Sequence, residues 1–313
     1  MFMKRIAAEK IGFTEIGGAG EIIYRVVRFK GYFLDYDHDD KAVILPVIMP
    51  GVMPVEGTDY RLNGQELLYS LCNLYYDINK ATHHPLFETE YIRQWCKTNI
   101  QPYNFKALSS YFHDREDDLL MIWEIIQREA SFYIETFIKD LCNLGRAMEF
   151  YHALIQANEE GNPSFARELA YEGRLCDGFP IFEKYSCYED DEYIVHIRED
   201  YNELMNTLID LFPEFHISLQ RDARTGRIGM YADIDSVFDI CWYTFSRLVA
   251  EDAPKMDEDL DDLFSNGSYI CCLACGRFVR RTGPGQKYCT KSECQDERKR
   301  RKSKQSYHKV TVK

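Results

Sequence analysis

Cys272-x2-Cys275 and Cys289-x4-Cys294, thirteen residues apart, place four thiols close together near the end of a 313-residue chain. Thiolates are soft ligands, and four of them arranged tetrahedrally suit Zn2+. A Cys-x2-Cys turn holds two sulfurs on one metal because its backbone amides fold back toward the thiolates. Gly276 follows at once, where a Cβ would hinder that turn. Four sulfurs leave no open coordination position, so the expected zinc is structural and not catalytic. Cys271-x3-Cys275 offers an alternative first ligand; the commoner two-residue spacing favours Cys272.

The thiols sit in a block of positive charge. From Asn266 to the end there are 13 Lys and Arg against 3 Asp and Glu, a net +10, while the rest of the chain carries −23. So many like charges repel one another unless a polyanion neutralises them, which makes phosphate the natural partner. Arg277, Arg280, Arg281, Lys287, Arg298, Arg301 and Lys302 are the candidate nucleic-acid contacts, with DNA the expected partner. A helix basic on all sides does not indicate which residues face bases. The same charge would also serve a non-catalytic interaction protein that grips an acidic protein partner.

These ligands need elements to hold them. A β-hairpin is expected over Phe278 to Lys287, with its turn at Thr282-Gly283-Pro284-Gly285. The second cysteine pair runs into an unbroken helix-forming series from Gln295 to Lys304, where thiolates gain from the helix dipole. Knuckle, hairpin and helix together describe a treble-clef-like zinc finger over residues 268–313. A module of that size cannot bury enough apolar surface alone, and structural zinc contributes on the order of 10 kcal/mol.

The order Cys-Gly-x-Phe, a basic hairpin, Lys-Tyr-Cys-x4-Cys and a basic helix resembles the CGNR-type zinc fingers at the C-terminus of bacterial proteins thought to regulate transcription. The resemblance covers Ile270 to about His308 and implies Cys272, Cys275, Cys289 and Cys294 as the zinc ligands. Gln295, Asp296 and Glu297 stand where the name-giving Gly-Asn-Arg follows the last cysteine, with Arg298 one place late. By resemblance the chain would be a bacterial regulator whose larger domain senses a ligand or mediates assembly.

That larger domain, residues 1–250, reads as α+β and helix-dominated, with a β-rich N-terminal segment. Residues 1–57 are β-rich, with β-branched runs at Glu21 to Lys30 and Lys41 to Met49, and the GGAG at Gly17 to Gly20 reads as a turn. Residues 58–172 are mainly helical. Apolar spacing predicts helices from about Asn63, over Glu88 to Thr98, from Asp117 to Gln156 with a break near Gly145, and over Ser164 to Glu172. Residues 173–250 are mixed: strands within Tyr185 to Arg198, a helix over Tyr201 to Phe212, a hairpin over Ile217 to Asp233 turning at Arg224-Thr225-Gly226, and a helix capped by Asp235 or Ser236. The acidic stretch 251–267 is the expected linker.

Function classes narrow accordingly. Six cysteines (Cys72, Cys96, Cys142, Cys176, Cys187, Cys241) are scattered among apolar residues, unlike a secreted disulfide framework. The N-terminus has no apolar signal core and no stretch of about 18 apolar residues occurs, so a cytoplasmic protein without a membrane span is expected. His83-His84 and the acidic groups at Asp35, Asp37, Asp39, Asp40 and Glu189 to Glu192 match no catalytic motif, and no enzyme activity is expected.

Overall fold

A computed structural model describes residues 28–48, 64–80, 85–108, 119–158, 187–221, 228–252 except 233, 269–280 except 273 and 276, and 282–311 except 284 and 285. It also describes three short strand segments at 5–6, 22–23 and 55–57. The chain divides into two compact units, Met1–Arg247 and Leu248–Lys313.

In the first unit, β-branched and aromatic residues form short antiparallel pairs. Strand β1 (Arg5–Ile6) pairs with β2 (Ile22–Ile23). Next come β3 (Arg28–Phe29), β4 (Tyr32–Tyr36), β5 (Ala42–Pro46) and β6 (Val55–Gly57), with β3 paired to β6 and β4 to β5. The β4–β5 turn is built by Asp37, whose Oδ1 accepts from the amides of Asp39 and Lys41, both at 2.9 Å. Asp40 completes it in the left-handed region at φ 57°, which Asp tolerates better than most residues. Within this acidic run, Asp37 and Asp40 close the hairpin.

Helix α1 (Gly64–Lys80) buries the predicted face of Leu67, Leu68, Leu71, Leu74 and Tyr75. Helix α2 (Pro85–Thr98) starts on a proline, whose fixed φ suits the first helical position. The stretch expected as one helix from Asp117 is two: α3 (Leu119–Glu129) and α4 (Ile134–Asn158). Between them β7 (Phe132–Tyr133) adds to β5, making a three-stranded sheet in the order β4-β5-β7. Distant side chains make this break possible. Gln101 Nε2 donates to the Ala130 carbonyl at 2.7 Å and Asn104 Nδ2 to that of Glu129 at 2.6 Å, satisfying carbonyls that end α3.

Gly145 does not break α4, which runs through it. The glycine is there because Tyr75 of α1 lies against its Cα; a Cβ would sit 2.3 Å from Tyr75 Cγ. Elsewhere on α4, Phe137 joins an aromatic cluster, its ring 5.2 Å from Phe238 and 5.7 Å from Phe132, centroid to centroid.

After α4 the described chain resumes with α5 (Asp190–Glu199) and α6 (Tyr201–Ile209). The strands expected within Tyr185 to Arg198 are replaced by α5, because Tyr193 and Ile197, four apart, are both fully buried and so reward a helical period. Strands β8 (Ile217–Arg221) and β9 (Ile228–Ala232) form the expected antiparallel hairpin. Helix α7 (Val237–Asp252) is capped by Ser236: its Oγ accepts from the Asp239 amide at 3.1 Å while Asp239 Oδ2 accepts from the Ser236 amide at 2.8 Å. This is a reciprocal capping box. The GGAG turn, His83-His84, Ser164 to Glu172, Arg224 to Gly226 and 253–267 lie outside the described residues. No helix among the described residues is long and apolar enough to cross a membrane.

Replacing Gly145 with Ala forces the Tyr75 ring aside. The expected cost is about 1–3 kcal/mol, read as a lower urea midpoint by circular dichroism. An unchanged midpoint would show that α1 and α4 do not pack through this contact.

Candidate metal centre

In the second unit, β10 (Tyr269–Cys271) pairs antiparallel with β11 (Phe278–Arg280), register Tyr269↔Arg280, Ile270↔Val279 and Cys271↔Phe278. The expected hairpin over Phe278 to Lys287 is therefore corrected: β11 finds its partner upstream. The Cys-x2-Cys segment is itself the tip, closed by the Cys272 amide donating to the Arg277 carbonyl at 2.9 Å. Downstream, the Gln286 side chain replaces a ladder. Its Oε1 accepts from the Thr282 amide and hydroxyl at 2.7 and 2.9 Å, and its Nε2 donates to the Tyr288 carbonyl at 3.0 Å.

That loop delivers Cys289 back beside the tip, and α8 (Ser292–Thr311) begins three residues later with Cys294 in its first turn. Gln295 Nε2 donates to the Cys289 carbonyl at 2.6 Å and ties the helix start to the loop. The Sγ atoms of Cys272, Cys275, Cys289 and Cys294 all lie within 4.8 Å of one another. Cys275 and Cys289 are 3.8 Å apart, far beyond a disulfide bond, and all four are free thiols. A tetrahedral zinc with Zn–S near 2.3 Å separates its sulfurs by about 3.8 Å. The donor set and its spacing therefore fit one four-coordinate metal of the kind that soft thiolates bind, zinc among them.

Electrostatics point the same way. The Cys289 amide donates to Cys272 Sγ at 3.2 Å. Burial pushes the Cys272 thiol up, but the amides of Cys289, Cys275 and Ala274 outweigh it and hold the group down at about 7. Burial, with Cys272 beside it, raises Cys275; burial and the neighbouring thiols of Cys289, Cys275 and Cys272 raise Cys294 strongly. One thiolate in the cluster thus opposes the next, and a bound dication reverses that order by favouring all four. Cys272, Cys289 and Cys294 are also the buried core here, with Cys275, Val279 and Tyr288 packed against them.

The candidate phosphate contacts fare unevenly. Lys287, Arg298 and Lys302 are exposed, and Arg277 is half-buried; Arg280 falls in β11, and Arg281 lies outside the described residues. Arg301 is half-buried and its Nε donates to Glu297 at 2.8 Å. Sequence reasoning missed Glu297, although its spacing of three and four to Arg300 and Arg301 is the signature of same-face helix pairs. Arg300 and then Arg301 hold its carboxyl down at about 2. A depressed carboxyl contributes stability above its unfolded value of about 4.5 and loses it as pH falls toward 2, so this clamp is intact at neutral pH.

Comparison of the chain with protein-family models, with curated proteins and with solved structures gives no match.

Cobalt titration of the apo-protein is expected to give one tetrahedral thiolate spectrum per chain, lost in Cys272→Ser, Cys275→Ser, Cys289→Ser and Cys294→Ser and kept in Cys271→Ser. Because binding displaces protons from thiols, affinity should weaken as pH falls. A spectrum that survives in any of the four single variants would remove that residue from the ligand set.

Proposed function

We propose that the Leu248–Lys313 unit is a zinc finger of the treble-clef kind that presents α8 to nucleic acid, DNA in the first instance, and that the chain is a regulatory protein. The observation that carries this reading is the place of Cys294: a ligand of the candidate metal lies in the first turn of a helix bearing seven Lys and Arg. Metal binding then orients a cationic rod, and pre-orientation lowers the entropic cost of ordering it on a partner. The net +10 from Asn266 onward favours a polyanion, and the −23 carried by the residues before it keeps non-specific collapse onto phosphate in check. Regulation of transcription, and a sensing or assembly role for Met1–Arg247, rest on the resemblance to CGNR-type fingers.

The chemistry of zinc here is to hold four thiolates, and the remaining work belongs to the chain. The hairpin tip supplies amides to sulfur, Gln286 sets the loop, Gln295 ties the helix start, and the cations of α8 meet phosphate.

Fluorescence anisotropy of the full-length chain on short duplex DNA tests this. Six phosphate contacts would give a log-log salt slope of about −5 between about 50 and 200 mM salt, and the slope should vanish in Cys272→Ser/Cys275→Ser. Absence of binding by the zinc-loaded chain would refute the nucleic-acid reading. Displacement of DNA by polyglutamate at equal charge would favour an acidic protein partner instead.

A further inference from the structure

Counted by type, α8 is basic all round, but its charge is two-sided once partners are considered. Lys299 Nζ pairs with Asp296 at 2.9 Å. Arg300 grips the Glu297 carboxylate through Nε and Nη2 at 2.7 and 2.9 Å, and Arg301 Nε donates at 2.8 Å to Oε1, the oxygen that also accepts from Arg300 Nη2. Arg301 also interacts with Tyr288, which packs on the cysteine cluster. Three of the cations are thus spent on the helix's own carboxylates.

Arg298 contacts only a neutral group, the Gln295 side chain, at 3.2 Å. Lys291 and Lys302 are exposed, and neither has a carboxylate partner among the described residues. At about 100° per residue, Arg298 and Lys302 fall within about 40° of one another, position 309, also lysine, continues the stripe, and Lys291 stands one residue before α8, its carbonyl accepting from the Gln295 amide at the helix start. The three carboxylates of α8, Glu293, Asp296 and Glu297, centre on the opposite side, about 170° round the helix. A phosphate approaching that side would face them; one approaching the stripe would meet cations alone. Along the axis Arg298 and Lys302 are about 6 Å apart, and Lys291 to Lys302 spans about 16 Å, so the stripe can touch several phosphates of one backbone.

Building on the nucleic-acid reading above, we infer that Lys291, Arg298 and Lys302 form the phosphate-binding edge of α8, and that Arg301 is a positioning residue bracing the helix on the finger. Arg301 accordingly leaves the set of expected contacts. Lys291, not among them, joins it.

The test is the salt dependence of DNA binding by full-length, zinc-loaded variants, with the cobalt spectrum confirming an intact finger in each. Arg298→Gln and Lys302→Gln should each reduce the salt slope by about one. Lys299→Gln and Arg300→Gln, whose cations are already paired with Asp296 and Glu297, should leave it unchanged. Arg301→Gln should keep the slope while lowering the thermal midpoint of metal release. Equal loss of slope across all five would overturn the stripe while leaving nucleic-acid binding standing. No binding by the unmodified chain would overturn both.

Discussion

Four sulfur atoms within 4.8 Å of one another cannot all carry charge without a cation between them, and cannot form a dry core of adequate size without one either. Both problems have the same solution. A bound dication would remove the repulsion and replace the missing apolar burial with metal–sulfur bonds. The rest of the C-terminal unit follows from that constraint: the hairpin turns at the first cysteine pair, the Gln286 loop returns the chain, and the helix starts where the last ligand must sit. Among the described residues of this unit, the cysteines are the core, and Val279 and Tyr288 are its cover.

The same constraint governs the charged surface. Because Cys294 fixes the first turn of α8 and Gln295 ties it to the loop, the rotation of the helix about its axis is set near its origin. Glu297 and Arg301 continue the face that begins at Cys294, and Tyr288 links that face to the cysteine cluster. Individual exposed ion pairs contribute little stability. Their effect here is directional: they neutralise one flank of the helix and leave cations on the other.

The candidate site was largely legible in the sequence, because ligand spacing is a local signal. Cys272-x2-Cys275 and Cys289-x4-Cys294 specify the donors, and the structure gathers those four. Their framework was less legible. Thr282-Gly283-Pro284-Gly285 looks like a hairpin turn by composition, yet the strand at Phe278 pairs with Tyr269–Cys271, since the Cys272–Cys275 segment folds into the tip, closed by the Cys272 amide on the Arg277 carbonyl. In the larger unit, periodicity located α1, α2, α4, α6 and α7. It failed at Ala130–Tyr133, where the interruption depends on Gln101 and Asn104, residues about thirty positions away. It also misjudged Gly145, which reads locally as a helix breaker and is in fact a site of close approach to Tyr75. The Tyr-Ile-Val-His-Ile run of Tyr193 to Ile197 carries strand-forming residue types, and burial of Tyr193 and Ile197 on one helical face overrode that preference.

Zinc K-edge X-ray absorption on the full-length chain, purified without added metal and then loaded with one equivalent of zinc, reads the coordination of the four cysteines. The expected first shell is four sulfurs at about 2.3 Å with no nitrogen or oxygen. A shell of mixed light-atom ligands, or failure of the chain to retain the metal, would contradict it.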